Sequence, residues 1–152
     1  MINKIYSKLY FFFISIFIVV IDQFSKYLAF YKYNLFENRD FFIFRFDLVK
    51  NYGAAFNIFS GSRIFLSAIS IVFSIILLYL LFKPNYTGII EQFSYSFILG
   101  GTIGNGLDRV LKGYVIDFIN LNIINFPVFN VADISINIGF FLILYNLFKK
   151  NR

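Results

Sequence analysis

Long apolar runs dominate the chain, and polar residues cluster between them. Four runs approach the ~20 residues that a helix needs to cross the ~30 Å hydrocarbon layer of a bilayer. They cover about residues 9–31, 64–82, 89–106 and 131–148. The pattern predicts an all-α integral membrane protein, a four-transmembrane-helix bundle in which residues 1–152 form a single domain.

The connection between the first two runs has a different pattern. Residues 44–48, with the sequence FRFDL, alternate apolar and polar positions, and a period of two is typical of a half-buried strand. We therefore expect a small extracytoplasmic β-sheet over about residues 33–60. Residues 83–88 contain proline and glycine and predict a short turn that joins the second and third helices as a hairpin.

The composition agrees with a membrane protein. Hydrophobic residues make up 59% of the 152 residues and charged residues 14%, whereas soluble domains carry roughly a quarter charged residues. The net charge is +6, but the lysines and arginines stand singly and form no stripe of the kind that nucleic acid binding needs. We expect contact with membrane phospholipid and no nucleic acid partner.

The chain contains no histidine and no cysteine. This excludes disulfides, thiolate nucleophiles, a Ser-His-Asp triad and the commonest zinc ligands. Carboxylates are the strongest acid–base groups that remain. At membrane depth they cost free energy unless they are paired or protonated, so their positions indicate function.

Asp117 and Asp133 lie sixteen positions apart, in the segments VIDF (115–118) and FNVAD (129–133). Asp133 stands where a loop becomes the fourth helix, and we expect Asp117 in a loop that folds over it. Two carboxylates held close share one proton, which suits general acid–base attack on a peptide bond. The alternative is structural pairing with Arg109 or Lys112, and the residues alone leave both interpretations open.

A second polar stretch, GGTIGNGLDR, covers residues 100–109. Its glycines are typical of a helix that packs closely against a neighbour in a bilayer. Packing does not explain Asn105 and Arg109, whose amide and guanidinium could hold a carboxylate or a substrate carbonyl.

Further polar residues have structural as well as functional interpretations. Asp22 and Lys26 stand four apart on the first helix and therefore share one face, where mutual neutralisation is favoured over direct chemistry. Asn51 and Asn130 could each donate a hydrogen bond to substrate or carboxylate, or could cap a turn or a helix.

Five segments, taken in order, resemble the lipoprotein signal peptidases, also called signal peptidase II: DQFSK (22–26), NYGAAF (51–56), GNGLDR (104–109), VIDF (115–118) and FNVAD (129–133). The resemblance implies an aspartic endopeptidase of the bacterial inner membrane with four transmembrane helices, cytoplasmic termini and an active site near the outer face. It implies cleavage of diacylglyceryl-modified prolipoproteins before the lipidated cysteine, and inhibition by the cyclic peptide globomycin.

On that pattern Asp117 and Asp133 match the catalytic pair. The supporting or substrate-binding positions are matched by Asp22, Lys26, Asn51, Gly53, Gly101, Asn105, Arg109, Asn130 and Ala132. The expected partners are lipid-modified prolipoproteins and membrane phospholipid, the chain is expected to act as a monomer, and neither a cofactor nor a metal is expected.

Two other function classes are alternatives to this interpretation. A proton-coupled transporter or channel subunit could use Asp22, Asp117 and Asp133 as a relay, although two of these carboxylates lie by loop motifs. A magnesium-dependent lipid-phosphate enzyme could use aspartate ligands, although the acids are scattered.

The orientation in the membrane is only weakly indicated. Lysines and arginines are divided almost evenly between the side of the membrane that carries the termini and the opposite side. Only the absence of acids near the basic residues of the termini favours cytoplasmic termini.

Overall fold

The computed structural model describes residues 2–32, 40–83 and 88–150. In these ranges the four helices are α1 (Ile2–Tyr31), α2 (Arg63–Phe82), α3 (Ile89–Leu111) and α4 (Val131–Lys150), and the three strands are β1 (Asp40–Phe41), β2 (Phe44–Asn51) and β3 (Val115–Leu121). A 3-10 turn covers Ala55–Asn57. Residues 33–39 of the predicted sheet segment and 84–87 of the predicted turn lie outside the described residues.

Among the described residues, three helical segments are long and apolar enough to cross a membrane: Lys8–Tyr31, Arg63–Phe82 and Val131–Lys150. The predicted third span, α3, does not reach that level because glycine and polar residues lower its mean hydropathy. α3 makes extensive contacts with α1, α2 and α4, whereas α1, α2 and α4 make few contacts with one another. Its polar residues are therefore buried by protein, among them Gln92, Ser96 and Asn105.

The glycines of α3 let its neighbours approach, as the sequence predicted. A Cβ at Gly101 would overlap the backbone oxygen of Ala132 on α4, and one at Gly104 would lie 2.5 Å from Asp22 Oδ2 on α1. Close approach through small residues is typical of helices packed in membranes. The start of α4 and the polar part of α1 are thereby held against the same stretch of α3.

α3 extends five residues beyond its predicted end at residue 106. It stops at Gly113, whose φ of +85° is readily adopted by glycine. The N–H groups of Lys112 and Gly113 both donate to the backbone oxygen of Asp108, at 2.8 and 3.2 Å, as at a helix end closed by a left-handed residue. Arg109 therefore lies on the helix, where its position is fixed.

The predicted strand at residues 44–48 is confirmed within β2, but the sheet differs from prediction in two ways. The strand segment from the α1–α2 connection ends at Asn51, short of the predicted limit at residue 60. It also includes β3 from the α3–α4 connection, in the order β1-β2-β3 with antiparallel pairing. Asp117 was expected in a loop and instead lies in β3, opposite Val49.

Alternating residues of β3 explain why this segment forms a strand. Ile116 and Phe118 are buried with Ala29 at the end of α1. Val115 and Asp117 point to the opposite face, where they line a cavity, as the period-two geometry of a strand requires. Packing on α1 thus positions β3 and directs Asp117 toward the beginning of α4.

Candidate active site

Asp133 and Asn130 cap the beginning of α4 together. The Asp133 N–H donates to Asn130 Oδ1 at 3.0 Å, and the Asn130 N–H donates to Asp133 Oδ2 at 3.1 Å. This is the reciprocal arrangement of a capping box, with asparagine at the N-cap and aspartate three residues later. The Asp133 carboxylate is consequently fixed at the positive end of the helix dipole.

Asn130 also reaches Asp117 across from β3. Its Nδ2 lies 2.6 Å from Asp117 Oδ1, while Asn51 Nδ2, at the end of β2, lies 2.9 Å from Asp117 Oδ2. Asn130 is fully buried and Asp117 is 2% exposed. One asparagine side chain therefore connects the two aspartates that the sequence singled out.

The electrostatics of Asp117 reflect this setting. Burial, and secondly the negative charge of Asp133, raise the pKa of Asp117 from its ordinary value of 3.8 to about 6, against the opposing effect of the amides of Asn51 and Asn130. The negative charge of Asp133 therefore favours the protonated form of Asp117.

The alternative of structural pairing finds less support. Lys112 Nζ lies 2.8 Å from Asp108 Oδ1, and Arg109 Nη2 donates to the backbone oxygen of Gly53 at 3.1 Å. Gly53 in turn donates its N–H to Asn51 Oδ1 at 2.9 Å. Arg109, Gly53 and Asn51 thus form a rim next to Asp117 instead of neutralising it by direct contact.

A buried group of charges lies behind the dyad. Lys26 Nζ is 2.8 Å from Asp22 Oδ2, 2.9 Å from Asp108 Oδ2 and 2.8 Å from Asn105 Oδ1. All three charged side chains are fully buried. The ion pair expected between Asp22 and Lys26 is present, and Asp22 Oδ1 also accepts the N–H of Ala132 at 2.9 Å.

Asp108 was not among the candidate site residues, although the sequence contained a signal for it. It lies four residues before Lys112, the spacing that places two charges on one helix face. Its second oxygen then holds Lys26. Because α3 was expected to end at residue 106, Asp108 and Lys112 were not expected to share a helix face.

Asp117 and Asp133 open onto the same cavity, which has a volume of about 730 Å³. Asn105 and Arg109 supply further polar groups to its wall, and the apolar part of the wall includes Val49, Ala55, Phe56, Phe126 and Ile136. The rings of Phe56 and Phe126 meet edge to face at 6.2 Å between centroids. An apolar cleft with a few convergent polar groups is typical of a substrate site.

Neither phenylalanine was among the candidate site residues. Phe56 ends the segment NYGAAF (51–56), but in a chain with 24 phenylalanines nothing indicated a role for its side chain. Phe56 has a positive φ of 55°, a conformation that a non-glycine residue adopts at a cost.

In the described ranges 2–32, 40–83 and 88–150, no three acidic side chains come together as metal ligands.

Comparison with known proteins points to one family. A family model described as "Signal peptidase (SPase) II" matches residues 14–149. A lipoprotein signal peptidase of Gloeothece citriformis is 47% identical over 102 residues, which span 67% of this chain and 64% of that protein. One from Francisella tularensis subsp. novicida is 38% identical over 159 aligned residues, covering 99% of both proteins.

The fold is also similar to that of solved proteins. A crystallised bacterial membrane enzyme superposes with a TM-score of 0.84 at 35% identity, over 91% of this chain and 87% of the other. Since the family model covers nearly the whole chain and the identities exceed 30% over nearly its full length, the chain belongs to the signal peptidase II family.

Proposed function

We propose that this chain is an aspartic endopeptidase that removes the signal peptide from diacylglyceryl-modified bacterial prolipoproteins, cutting before the lipidated cysteine. The observation that carries the proposal is the bridge made by Asn130, which bonds both Asp117 and Asp133 at one cavity. The chain has no histidine or cysteine to offer another nucleophile or base of the usual kinds. The names of its relatives, lipoprotein signal peptidases, supply the substrate class.

In this mechanism the pair acts with one shared proton. The ionised carboxylate takes a proton from a water molecule while the water oxygen attacks the scissile carbonyl carbon. The protonated carboxyl gives its proton to the carbonyl oxygen, which yields a neutral tetrahedral diol. The diol collapses as one of its hydroxyl groups gives a proton to the carboxylate and the other, now protonated carboxyl gives its proton to the leaving amide nitrogen, so no covalent acyl-enzyme forms.

The surroundings of the pair suit a peptide substrate. Asn105 and Arg109 line the cavity on its polar side and can orient a substrate carbonyl by donating N–H groups. The apolar wall around Phe56 and Phe126 excludes bulk water and positions the scissile bond. Both carboxylates come from one chain, so a monomer can form the pair.

The bilayer completes the proposed site. We place all four helices across the bacterial inner membrane, with cytoplasmic termini and the sheet on the outer side. Large apolar side chains such as Phe13, Phe73 and Phe141 are more than half exposed and suit contact with lipid tails. The acyl chains of the substrate then lie against such helix faces, and the membrane presents the cysteine to a dyad near its outer surface.

A paired substrate assay tests the proposal. Purified enzyme in vesicles is given a precursor peptide with a diacylglyceryl cysteine and, separately, its unlipidated twin. We expect cleavage of the lipidated precursor alone, and loss of that cleavage in Asp117→Asn and in Asp133→Asn. Asp47→Asn is the matched control, since Asp47 bonds Arg45 and Asn120 on the sheet and does not line the cavity.

The outcomes separate the parts of the proposal. Substantial turnover by either dyad variant would refute the aspartic mechanism. Equal cleavage of both precursors would refute the lipidated substrate, and proton flux through vesicles without any cleavage would favour a transporter instead.

A further inference from the structure

The direction of the Asn105 amide is determined by its neighbours. Its Oδ1 lies 2.8 Å from Lys26 Nζ and 3.1 Å from Asn130 Nδ2, and its Nδ2 lies 2.8 Å from Asp133 Oδ1. An ammonium group can only donate hydrogen bonds. Asn105 must therefore present its oxygen to Lys26, which leaves its NH₂ group facing Asp133.

This direction matters for the charge of Asp133. Its other oxygen accepts the backbone N–H of Asn130 at 3.1 Å, a donor that cannot be reversed. Both carboxyl oxygens thus receive N–H groups of fixed direction, and hydrogen bonds of this kind favour the ionised form of a carboxyl group. With Asn105 reversed, two oxygens would face each other unless Asp133 carried a proton.

Lys26 does not touch a substrate in the cavity, because it is fully buried and does not line the cavity. Asp22 on its own helix and Asp108 on α3 hold its ammonium group, and Lys112 holds Asp108 in turn. The four side chains carry two positive and two negative charges, so the group is neutral as a whole. This balance allows a lysine to remain charged in the protein interior.

We propose that Lys26 is a positioning residue that directs the Asn105 amide toward Asp133 and so stabilises the ionised form of this carboxylate. The inference rests on the proposed peptidase function and assigns a positioning residue within it.

A double-mutant cycle distinguishes positioning from a general structural role. The variants are Lys26→Met, Asn105→Ala and the two combined, assayed for kcat and KM on the lipidated precursor, with folded protein quantified by circular dichroism. We expect each single change to lower kcat by at least tenfold, and Lys26→Met to leave KM within about twofold because Lys26 does not touch substrate. If Lys26 acts through Asn105, the double variant falls within about threefold of Asn105→Ala. Losses that multiply would overturn the inference.

The pH profile supplies a second readout. Besides Asp133, the charged groups around Lys26 and Asn105 are Asp22 on α1, Asp108, Arg109 and Lys112 on α3, and Asp117 on β3. In Lys26→Met we expect the acid limb of kcat/KM to move to higher pH, since Asp133 loses an aligned donor and a nearby positive charge. An unshifted limb would count against the inference.

A charge-balanced double variant serves as the control for misfolding of Lys26→Met. Lys26→Met leaves Asp22 and Asp108 with one cation fewer, whereas Asp22→Asn/Lys26→Met removes one charge of each sign and retains an oxygen for the Ala132 N–H. This variant is expected to fold and to show the same loss of kcat. If it folds and keeps kcat within about threefold of the wild type, positioning by Lys26 is refuted.

A distant lysine separates failure of this inference from failure of the proposed function. Lys150 also forms an ion pair, with Glu91, but it does not line the cavity. Lys150→Met and the wild type should both cleave the precursor, and Asp133→Asn should not. If that pattern holds while the double-mutant cycle is additive, the peptidase assignment stands and the role of Lys26 alone is rejected.

Discussion

Asn130 and Asp133 exchange two hydrogen bonds, each donating its backbone N–H to the side chain of the other. The pair that begins α4 is therefore also the pair that fixes one of the two candidate catalytic carboxylates. The remaining amide group of Asn130 bonds Asp117 at 2.6 Å. Asn130 therefore both caps α4 and holds Asp117 near Asp133. Substitutions at Asn130 can separate these two roles.

The first prediction concerns the two roles of Asn130. Asn130→Ser keeps a good N-cap but is too short to reach Asp117, whereas Asn130→Ala loses both functions. We expect the serine variant to unfold close to the wild-type temperature with activity at least tenfold lower. The alanine variant should be equally inactive and less stable by about 1 kcal/mol. Thermal unfolding in detergent and precursor cleavage measure the two effects, and an active serine variant would contradict this account.

The second prediction concerns pH and Asp117. Its pKa is 3.8 ordinarily and about 6 in the folded protein, so the folded state binds the proton more tightly. The stability that this proton contributes is fully present below pH 3.8 and is lost as the pH rises through about 6. The shift corresponds to about 3 kcal/mol.

Asp117→Asn should remove this pH dependence. We expect a higher unfolding temperature than the wild type above about pH 6 and no advantage below about pH 4. The gain falls short of the full amount because Asn51 and Asn130 donate to different oxygens of Asp117, and asparagine replaces one of these oxygens by an NH₂ group that cannot accept. Asp47→Asn should lower the unfolding temperature at neutral pH. Hydrogen bonding by Asn120 and Arg45 lowers the pKa of Asp47, so the ionised Asp47 carboxylate stabilises the folded protein at that pH.

The sequence predicted the helices well because their signal is local. Length and hydropathy placed α2 at residues 64–82, and the structure has Arg63–Phe82. The end of α3 was predicted too early, because Asp108 and Arg109 are charged and were assigned to a loop. Charge alone could not reveal that α1 supplies Lys26 to bury Asp108.

The site was only partly predictable for a related reason. Motif order indicated Asp117 and Asp133, but a strand of seven residues in the α3–α4 connection depends on pairing with β2, about 70 residues earlier in the chain. The direction of Asn105 and the meeting of Phe56 with Phe126 likewise depend on contacts between distant segments. The catalytic roles of the site residues stay predictions for the assays proposed above.

The third prediction tests the close packing of α3 on α1. A methyl group at Gly104 would lie 2.5 Å from Asp22 Oδ2 and would push this carboxylate away from the Ala132 N–H. We expect Gly104→Ala to destabilise the protein by about 1–3 kcal/mol and to reduce cleavage. Gly106→Ala is the control on the same helix, since its methyl group would lie 3.0 Å from Ser70 Cβ and away from the dyad. Equal effects of the two substitutions would contradict a specific role for Gly104.

The fourth prediction concerns the aromatic wall of the cavity. Phe56 and Phe59 both have a positive φ, 55° and 56°, but only Phe56 lines the cavity, while Phe59 contacts Phe65. Phe56→Gly and Phe59→Gly therefore change the backbone in the same way, and both should alter stability by no more than about 1 kcal/mol, since relief of strain offsets the entropy of glycine.

The two substitutions should differ in substrate binding. Removal of the Phe56 ring opens the cavity to water and takes away an apolar contact, so KM for the lipidated precursor should rise about tenfold in Phe56→Gly. Phe126→Ala, which removes the facing ring, should raise KM in the same direction. Phe59→Gly should leave KM unchanged, because its ring lies outside the cavity. An equal rise of KM in Phe56→Gly and Phe59→Gly would attribute the effect to the loop backbone and refute a role for the Phe56 ring in holding substrate.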